Sequence, residues 1–371
     1  MSIAILIPTY KNHIPLNARF LKSVEDNCAD DGVPDIFFAT SSKEESGELS
    51  LLIDSLSDKL KGKVHCFDVE EAVKEYEINQ LTTEYDSDAT IFFRDGRCGI
   101  INLKKLSGVN HVFTLGFEKV AVLDSEILLY RDANLLKSLE KHVSDDVYRY
   151  SLAAYNHEIM TKIQNDSIRS VVWSFDSRNH FSRSYGWYEN LCVYSRDKFS
   201  GFINHLTEGG DVFTNKFVVA ASRFRGASFE WISYMAYRMY VLKEEIKAVC
   251  VDDLIDSRID GHPWSTPQNE NLYQYMIGDE EKDGALLTAV NPPWVPYTEN
   301  EYTRNLVNKY LPDSCCLMFH LDRKHPGAEA EVKEEIPVPQ PVIDPPPVIS
   351  VQRRAINKLR RVIKRIALGQ S

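Results

Sequence analysis

Phe117-Glu118-Lys119-Val120-Ala121-Val122-Leu123-Asp124-Ser125-Glu126-Ile127-Leu128-Leu129 is the stretch whose reading decides the fold. An unbroken apolar run of this length predicts a strand buried on both faces over residues 119–123. It ends in two carboxylates spaced two residues apart. Hard oxygen ligands in that spacing suit Mg²⁺ or Mn²⁺ held together with the phosphate oxygens of a diphosphate. Such a metal neutralises charge that builds on a departing diphosphate. Acidic pairs at strand ends are also common as solvated or helix-capping groups, so the neighbouring segments have to decide between these readings.

Working outward, the first half of the chain alternates strand-like and helix-like segments. Residues 2–8 form a continuous apolar run stopped by Pro8. Residues 15–27 carry Leu16, Phe20, Leu21 and Val24 at helical spacing. Strands are expected over 35–40, 63–67 and 90–93, with helices over 48–60 and 102–107. Strands alternating with helices predict a mainly parallel sheet covered on both faces. Ligands of such sheets bind beyond the carboxyl ends of the strands. By that rule Pro8, Thr9, Tyr10, Asp68, Asp124, Ser125 and Glu126 face one crevice.

The second half is more mixed. Strands are expected over 171–175, 191–194, 248–251 and 315–320, and helices over 229–245 and 299–310. A polar, aromatic loop is expected over 176–190. Residues 326–347 are rich in Pro and Glu and include Pro345-Pro346-Pro347, which reads as a stiff, extended linker.

The net charge of −11 over 371 residues argues against broad contact with nucleic acid. Seven cysteines are scattered without CxxC or zinc-type spacing, which reads as reduced thiols in a cytosolic protein. The opening apolar run is too short for a signal peptide, and no apolar stretch approaches the ~20 residues that span a bilayer. The body is therefore expected in the cytoplasm.

Ile5-Leu6-Ile7-Pro8-Thr9-Tyr10-Lys11-Asn12 resembles the first strand and nucleotide-binding loop of GT-A glycosyltransferases. Lys104-Lys105-Leu106 followed by residues 118–126 resembles their lysine-bearing helix and DxD strand. The likeness covers roughly residues 1–130 well and 170–320 loosely. It implies a GT-A, Rossmann-like α/β fold over 1–325: a mixed, mainly parallel sheet flanked by helices. Thr9, Tyr10 and Asp68 would then line the base and ribose pocket, and Lys104 or Lys105 would approach the donor. Asp124 and Glu126 would hold ribose and a Mn²⁺ or Mg²⁺ ion. The sequence departs from the family at Glu126, where Asp is usual. The implied activity moves a sugar from a nucleotide-sugar donor, a UDP-sugar foremost, to a hydroxyl of a lipid-linked glycan. Bacterial lipopolysaccharide, O-antigen or capsule assembly is the setting the resemblance suggests.

Further candidates are single residues. Glu230, opening the helix expected over 229–245, stands where inverting members of the family place the base that deprotonates the acceptor. A first-turn glutamate is equally a common cap, and Asp252 and Asp253 stand in reserve. His320, ending the last expected strand, is the candidate third metal ligand, with His262 as competitor. Trp187, Tyr188 and Glu189 offer an aromatic face and polar groups to an acceptor sugar, whereas Trp173 reads as core. Two rival classes remain open: a nucleotidyltransferase, which would carry a Gly-rich basic loop after the first strand, and a non-catalytic partner protein that keeps the fold.

Residues 348–371 hold seven basic side chains and no acid. On a helical projection the apolar residues, among them Leu359, Ile363 and Ile366, fill an arc of about 160°, and the basic ones fill the opposite arc. This composition suits an amphipathic helix lying on anionic lipid at the inner face of the cell membrane. Protein docking and an RNA-binding arm are the competing uses. Full-length protein should co-sediment with anionic liposomes, and protein truncated at residue 347 should not. Raised salt should weaken the full-length binding. Full-length protein that ignores anionic liposomes would remove the membrane assignment.

Overall fold

A computed structural model describes residues 2–74, 77, 100–125, 127–129, 134–144, 147–152, 158–175, 185–186, 192–208, 214–224, 228–250, 286–290 and 316–320. The chain divides into two units, Met1–Pro326 and Gly327–Ser371, and every described residue belongs to the first. The first part runs β1 (Ile3–Pro8), α1 (Ile14–Asn27), β2 (Asp35–Thr40), α2 (Lys43–Asp54), β3 (Val64–Asp68) and the single-turn α3 (Val69–Ala72). It continues through α4 (Ile100–Thr114), β4 (Lys119–Val122), β5 (Ile127–Leu129), α5 (Leu135–Ser144) and β6 (Val147–Leu152). Then come α6 (Glu158–Val171), β7 (Tyr185–Gly186), β8 (Cys192–Ser195), α7 (Arg196–Thr207) and α8 (Lys216–Ser222). The last described elements are α9 (Glu230–Ala236), β9 (Lys247–Cys250), β10 (Leu286–Val290) and β11 (Cys316–His320).

The main sheet has strand order β3-β2-β1-β4-β8. Its first four strands are parallel and β8 is antiparallel to β4. All six residues of β1 are buried, as its unbroken apolar run requires. Side chains alternate across the sheet. Ile3, Ile5 and Ile7 join Ile36, Phe38 and Ala121 in one core with Phe20, Leu21 and Val24 of α1. Ala4 and Leu6 join Phe37, Val120 and Val122 in the other, with Leu103, Leu106, Val109 and Val112 of α4. Each such side chain is worth roughly 1.5–3 kcal/mol on burial, so the two-faced pattern fixes the register. Two smaller sheets accompany it, β10-β11-β5 and β7-β6-β9. The mainly parallel α/β arrangement is the one the sequence predicts.

Gly108 decides how closely α4 approaches the sheet. A Cβ there would lie 2.8 Å from Leu6 Cδ2 and 3.2 Å from Phe67 Cζ, so the glycine lets the helix that carries Lys104 and Lys105 lie tightly on β1 without displacing those side chains.

Several boundaries differ from expectation. The helix expected over 48–60 is α2, over Lys43–Asp54. Ser42 caps it by accepting from Glu45 N, while the Glu45 carboxylate accepts from Ser41 N; this reciprocal cap outweighs the later apolar cluster. The helix expected over 102–107 spans Ile100–Thr114, because its buried face continues through Val109 and Val112. The strand expected over 171–175 is instead the end of α6 and the turn after it. Ile163, Ile168 and Val171 are buried from one helix. Trp173, read as core, is 65% exposed and lies over the His205 ring. The helix expected to run to 245 ends as α9 plus a π-helical turn, Tyr237–Val241. Strands 191–194, 248–251 and 315–320 appear within one residue as β8, β9 and β11. No helix among the described residues is long and apolar enough to cross a membrane. The segments 90–93, 299–310, 326–347 and 348–371 lie outside the described residues, as does the 176–190 loop apart from β7.

Candidate functional site

From β1 the chain steps through β2 to β3 on one side, then returns to place β4 on the other side of β1. The strand order therefore reverses between β1 and β4, and beyond the carboxyl ends of these two strands lies the crevice where parallel sheets bind ligands. Thr9 and Tyr10 follow one strand, Asp124 and Ser125 the other.

Thr9 is 1% exposed and held on three sides. Its N–H donates to Ala39 O at 2.8 Å. Asn17 Nδ2 donates to its hydroxyl at 2.5 Å, and Lys104 Nζ donates to its carbonyl at 2.6 Å. The Tyr10 ring lies 4.0 Å, centroid to centroid, from His13, and His13 Nδ1 shares a hydrogen bond with Ser125 Oγ. This bond ties the loop after β1 to the turn after β4. His13 gives no sign of this role in the sequence beyond its place directly behind the nucleotide-loop pattern.

Lys104 and Lys105 are neighbours on α4 and both are buried, but a 100° step sends them apart. Lys104 anchors the Thr9 carbonyl. Lys105 Nζ lies 2.8 Å from Glu230 Oε1 and 3.9 Å from Asp124 Oδ1, with the Phe229 ring centroid 4.8 Å away. Burial alone would lower the Lys105 pKa. Glu230 first and Asp124 second outweigh that and hold it above the ordinary lysine range. Lys105 is therefore a cation throughout the neutral range.

The two carboxylates facing Lys105 differ in access. The Asp124 side chain is 45% exposed and that of Glu230 only 2%. Expected as a base open to an acceptor hydroxyl, Glu230 instead lies behind the wall and is engaged by Lys105. The contact is a buried ion pair. The start of α9 is pinned beneath it: Phe229 N donates to Ser167 Oγ at 2.7 Å and Ser233 Oγ to Ser167 O at 2.9 Å. Tyr194 on β8 is fully buried, and its hydroxyl makes no hydrogen bond among the described residues. Burial, then the Glu230 charge, push its pKa far up.

Asp68, expected at the ribose, is 6% exposed and caps α3 by accepting from Glu71 N at 2.8 Å. Pro8 closes β1 and is buried. Glu126, Trp187, Tyr188, Glu189, Asp252, Asp253 and His262 lie outside the described residues. His320 is described in its backbone only, and pairing of β11 with β5 sets it opposite Ile127, one position past Glu126. Among the described residues no cluster of three His, Cys, Asp or Glu side chains is present to hold a metal ion. What they do offer is one hard, half-exposed carboxylate, Asp124, whose neighbouring ammonium is drawn toward another carboxylate. One carboxylate is what a diphosphate-bound divalent cation commonly takes from a protein, the phosphate and water oxygens filling its other positions.

No family model and no curated protein matches this sequence. Among solved structures the chain is similar to a mannosyltransferase from S. cerevisiae, at 11% identity and a TM-score of 0.39 over 63% of this chain. It spans 65% of that protein's length, under two thirds. It is also similar to mouse xyloside xylosyltransferase 1, at 11% identity and a TM-score of 0.35, covering 71% of this chain and 91% of that one. A third likeness is to 4-diphosphocytidyl-2C-methyl-D-erythritol synthase from Anaerococcus prevotii, at 9% identity and a TM-score of 0.34, over 67% and 88% of the two chains. Likenesses this loose say nothing about chemistry, which rests on the chain's own residues.

Replacing Lys105 with Met strands the Glu230 charge indoors and should cost about 3–5 kcal/mol in urea denaturation. K105M/E230Q, with no buried charge left unpaired, should recover most of that loss. Equal stabilities for the single variant and wild type would contradict the ion pair.

Proposed function

We propose that this chain is a glycosyltransferase that moves a sugar from a nucleotide-sugar donor to a hydroxyl acceptor. One observation carries the reading: an exposed carboxylate, Asp124, stands at the switch point of a mainly parallel sheet. It lies beside a buried cation and is tied through Ser125 and His13 to the loop after β1. In the reaction the bond between the anomeric carbon and the phosphate oxygen breaks, a bond to the acceptor oxygen forms, and the nucleoside diphosphate departs. Thr9 and Tyr10 are the proposed base and ribose contacts, and Ser125 is proposed beside them. Asp124, with Glu126 and His320, would hold Mn²⁺ or Mg²⁺, which supplies charge to the leaving diphosphate. Trp187, Tyr188 and Glu189 are the proposed acceptor contacts.

A nucleotidyltransferase would use the same sheet and carboxylates. Its phosphate-cradling loop needs glycines after the first strand, and Pro8-Thr9-Tyr10-Lys11-Asn12 has none. Backbone N–H of Thr9 is moreover committed to Ala39. A non-catalytic partner protein is the other rival, and it differs by failing to turn over donor.

The finer proposals extend this one. The donor is a UDP-sugar and the acceptor a lipid-linked glycan of a surface polysaccharide. Residues 348–371, expected as a basic amphipathic helix, are proposed to bring the acidic body to the inner face of the membrane and raise the local concentration of acceptor. Inversion requires a carboxylate to take the acceptor proton; Glu230 is engaged by Lys105, and Asp252 and Asp253 are the other proposed bases.

The test is a thermal-shift screen of nucleotide sugars with and without Mn²⁺. A donor at a hundred times its Kd should stabilise the fold by about 2.7 kcal/mol. Asp124→Ala should abolish that shift and lower transfer by at least about 100-fold, with the unliganded melting temperature unchanged. Absence of any stabilising nucleotide sugar, or near-normal turnover by Asp124→Ala, would overturn the assignment.

A further inference from the structure

We infer that Glu45, on α2, is a positioning residue whose carboxylate holds the backbone of the loop after β1 in its nucleotide-binding form. The inference rests on the reading of the crevice as a nucleotide-sugar site and deepens it by naming what preforms one wall.

Between the holds already described at Thr9 and His13, Lys11 is where the backbone enters a helical run. A short 3₁₀ segment, Lys11–His13, leads into α1, and neither Tyr10 nor His13 caps this run with its side chain. The first N–H groups of a helical run have no partner within it. That of Lys11 finds one on α2, donating to Glu45 Oε1 at 3.2 Å. The other oxygen of the same carboxylate accepts from Ser41 N at 2.7 Å. One side chain thus bonds the loop after β1 and the loop after β2 at once. Its charge also suits the start of a helical run, where the dipole is positive.

Lys11 has a second tie to the same helix. Its ammonium lies 3.0 Å from both Glu44 and Glu48, but these side chains are largely exposed, and exposed pairs hold little. At Lys11 the backbone bond to Glu45 is therefore the stronger tie. Together with the bond from Thr9 N to Ala39 O, it brackets the extended backbone of Tyr10 (φ −152°, ψ 170°). A loop fixed before the ligand arrives spares the donor the entropy of ordering it.

Glu45 also belongs to the cap of its own helix, since Ser42 Oγ accepts from Glu45 N at 3.3 Å. Stabilising α2 and holding the loop are roles that separate in three variants. Binding of UDP, GDP and CDP, each with Mn²⁺, is measured by isothermal titration calorimetry on full-length protein, and hydrogen exchange of residues 9–13 is followed without ligand. Glu45→Ala should weaken binding of the nucleotide that wild type takes by about 10-fold, the scale of one charge-assisted hydrogen bond, and should speed exchange across 9–13. Ser42→Ala removes the α2 cap and keeps the Lys11 contact; it should lower the melting temperature yet leave affinity within about twofold. E45A/K11P should regain most of the affinity. Proline suits the first position of a helical run, needs no acceptor and fixes φ there, and Tyr10 is already extended, as a residue before proline prefers. Should Glu45→Ala fail to fold, Glu45→Gln, which keeps one of the two acceptor oxygens, takes its place with a loss of the same sign. Unchanged affinity in the Glu45 variant, an equal loss in Ser42→Ala, or no recovery in the double variant would overturn the positioning role and leave the donor site standing. Wild-type protein that binds none of the three nucleotides would overturn the donor reading, and this inference with it.

Discussion

A buried lysine ammonium needs a counter-charge or hydrogen-bond acceptors to replace the water it loses, and a carboxylate is the stronger of the two. Lys105 is that case, and the site is organised around it. Its helix crosses the face of β1, its nearest partner opens α9, and its second partner ends β4. Three segments more than 100 residues apart in sequence at their extremes are thereby brought to one point. The remaining contacts of the crevice serve the same end. Lys104 fixes the carbonyl of Thr9, and His13 is hydrogen-bonded to Ser125, which joins the loop after β1 to the turn after β4.

The sheet supplies the frame for this point. Parallel strands with helices on both faces place all their carboxyl ends together, and the reversal of strand order between β1 and β4 opens a gap there. Gly108 is a small part of it: a Cβ there would press on the Leu6 methyls of β1, so the glycine lets the lysine-bearing helix pack tightly on the sheet.

Much of this was legible in the sequence, for definite reasons. β1, β2 and β4 are continuous apolar runs, and a run buried on both faces has no other use in a chain of this composition. α1 shows its buried stripe in Phe20, Leu21 and Val24. Asp124 is legible because it directly follows such a run. The failures are equally physical. Adjacent lysines look alike in sequence, and only tertiary packing sends Lys104 to Thr9 and Lys105 to the carboxylates. Glu230 reads as an exposed first-turn acid because nothing local reports the cation that buries it. Residues 171–175 are apolar enough for a strand, but their burial belongs to a helix whose polar residues, Ser167 and Ser170, pack inward against Ser233. Trp173 then falls on the solvent side of that helix end. The start of α2 is hard to see in the sequence because its first turn is polar and its signal is the Ser42 cap rather than apolar spacing.

The central claim is that a nucleotide-sugar donor binds where the ends of β1 and β4 meet. Hydrogen exchange of full-length protein, followed by mass spectrometry with and without a stabilising nucleotide sugar and Mn²⁺, tests it without presuming the acceptor. Protection should concentrate in peptides covering residues 5–13, 100–106 and 119–125, with α7 and α8 unchanged. Protection that spares these three segments, or that falls on α7 and α8 alone, would contradict a donor site at this crevice.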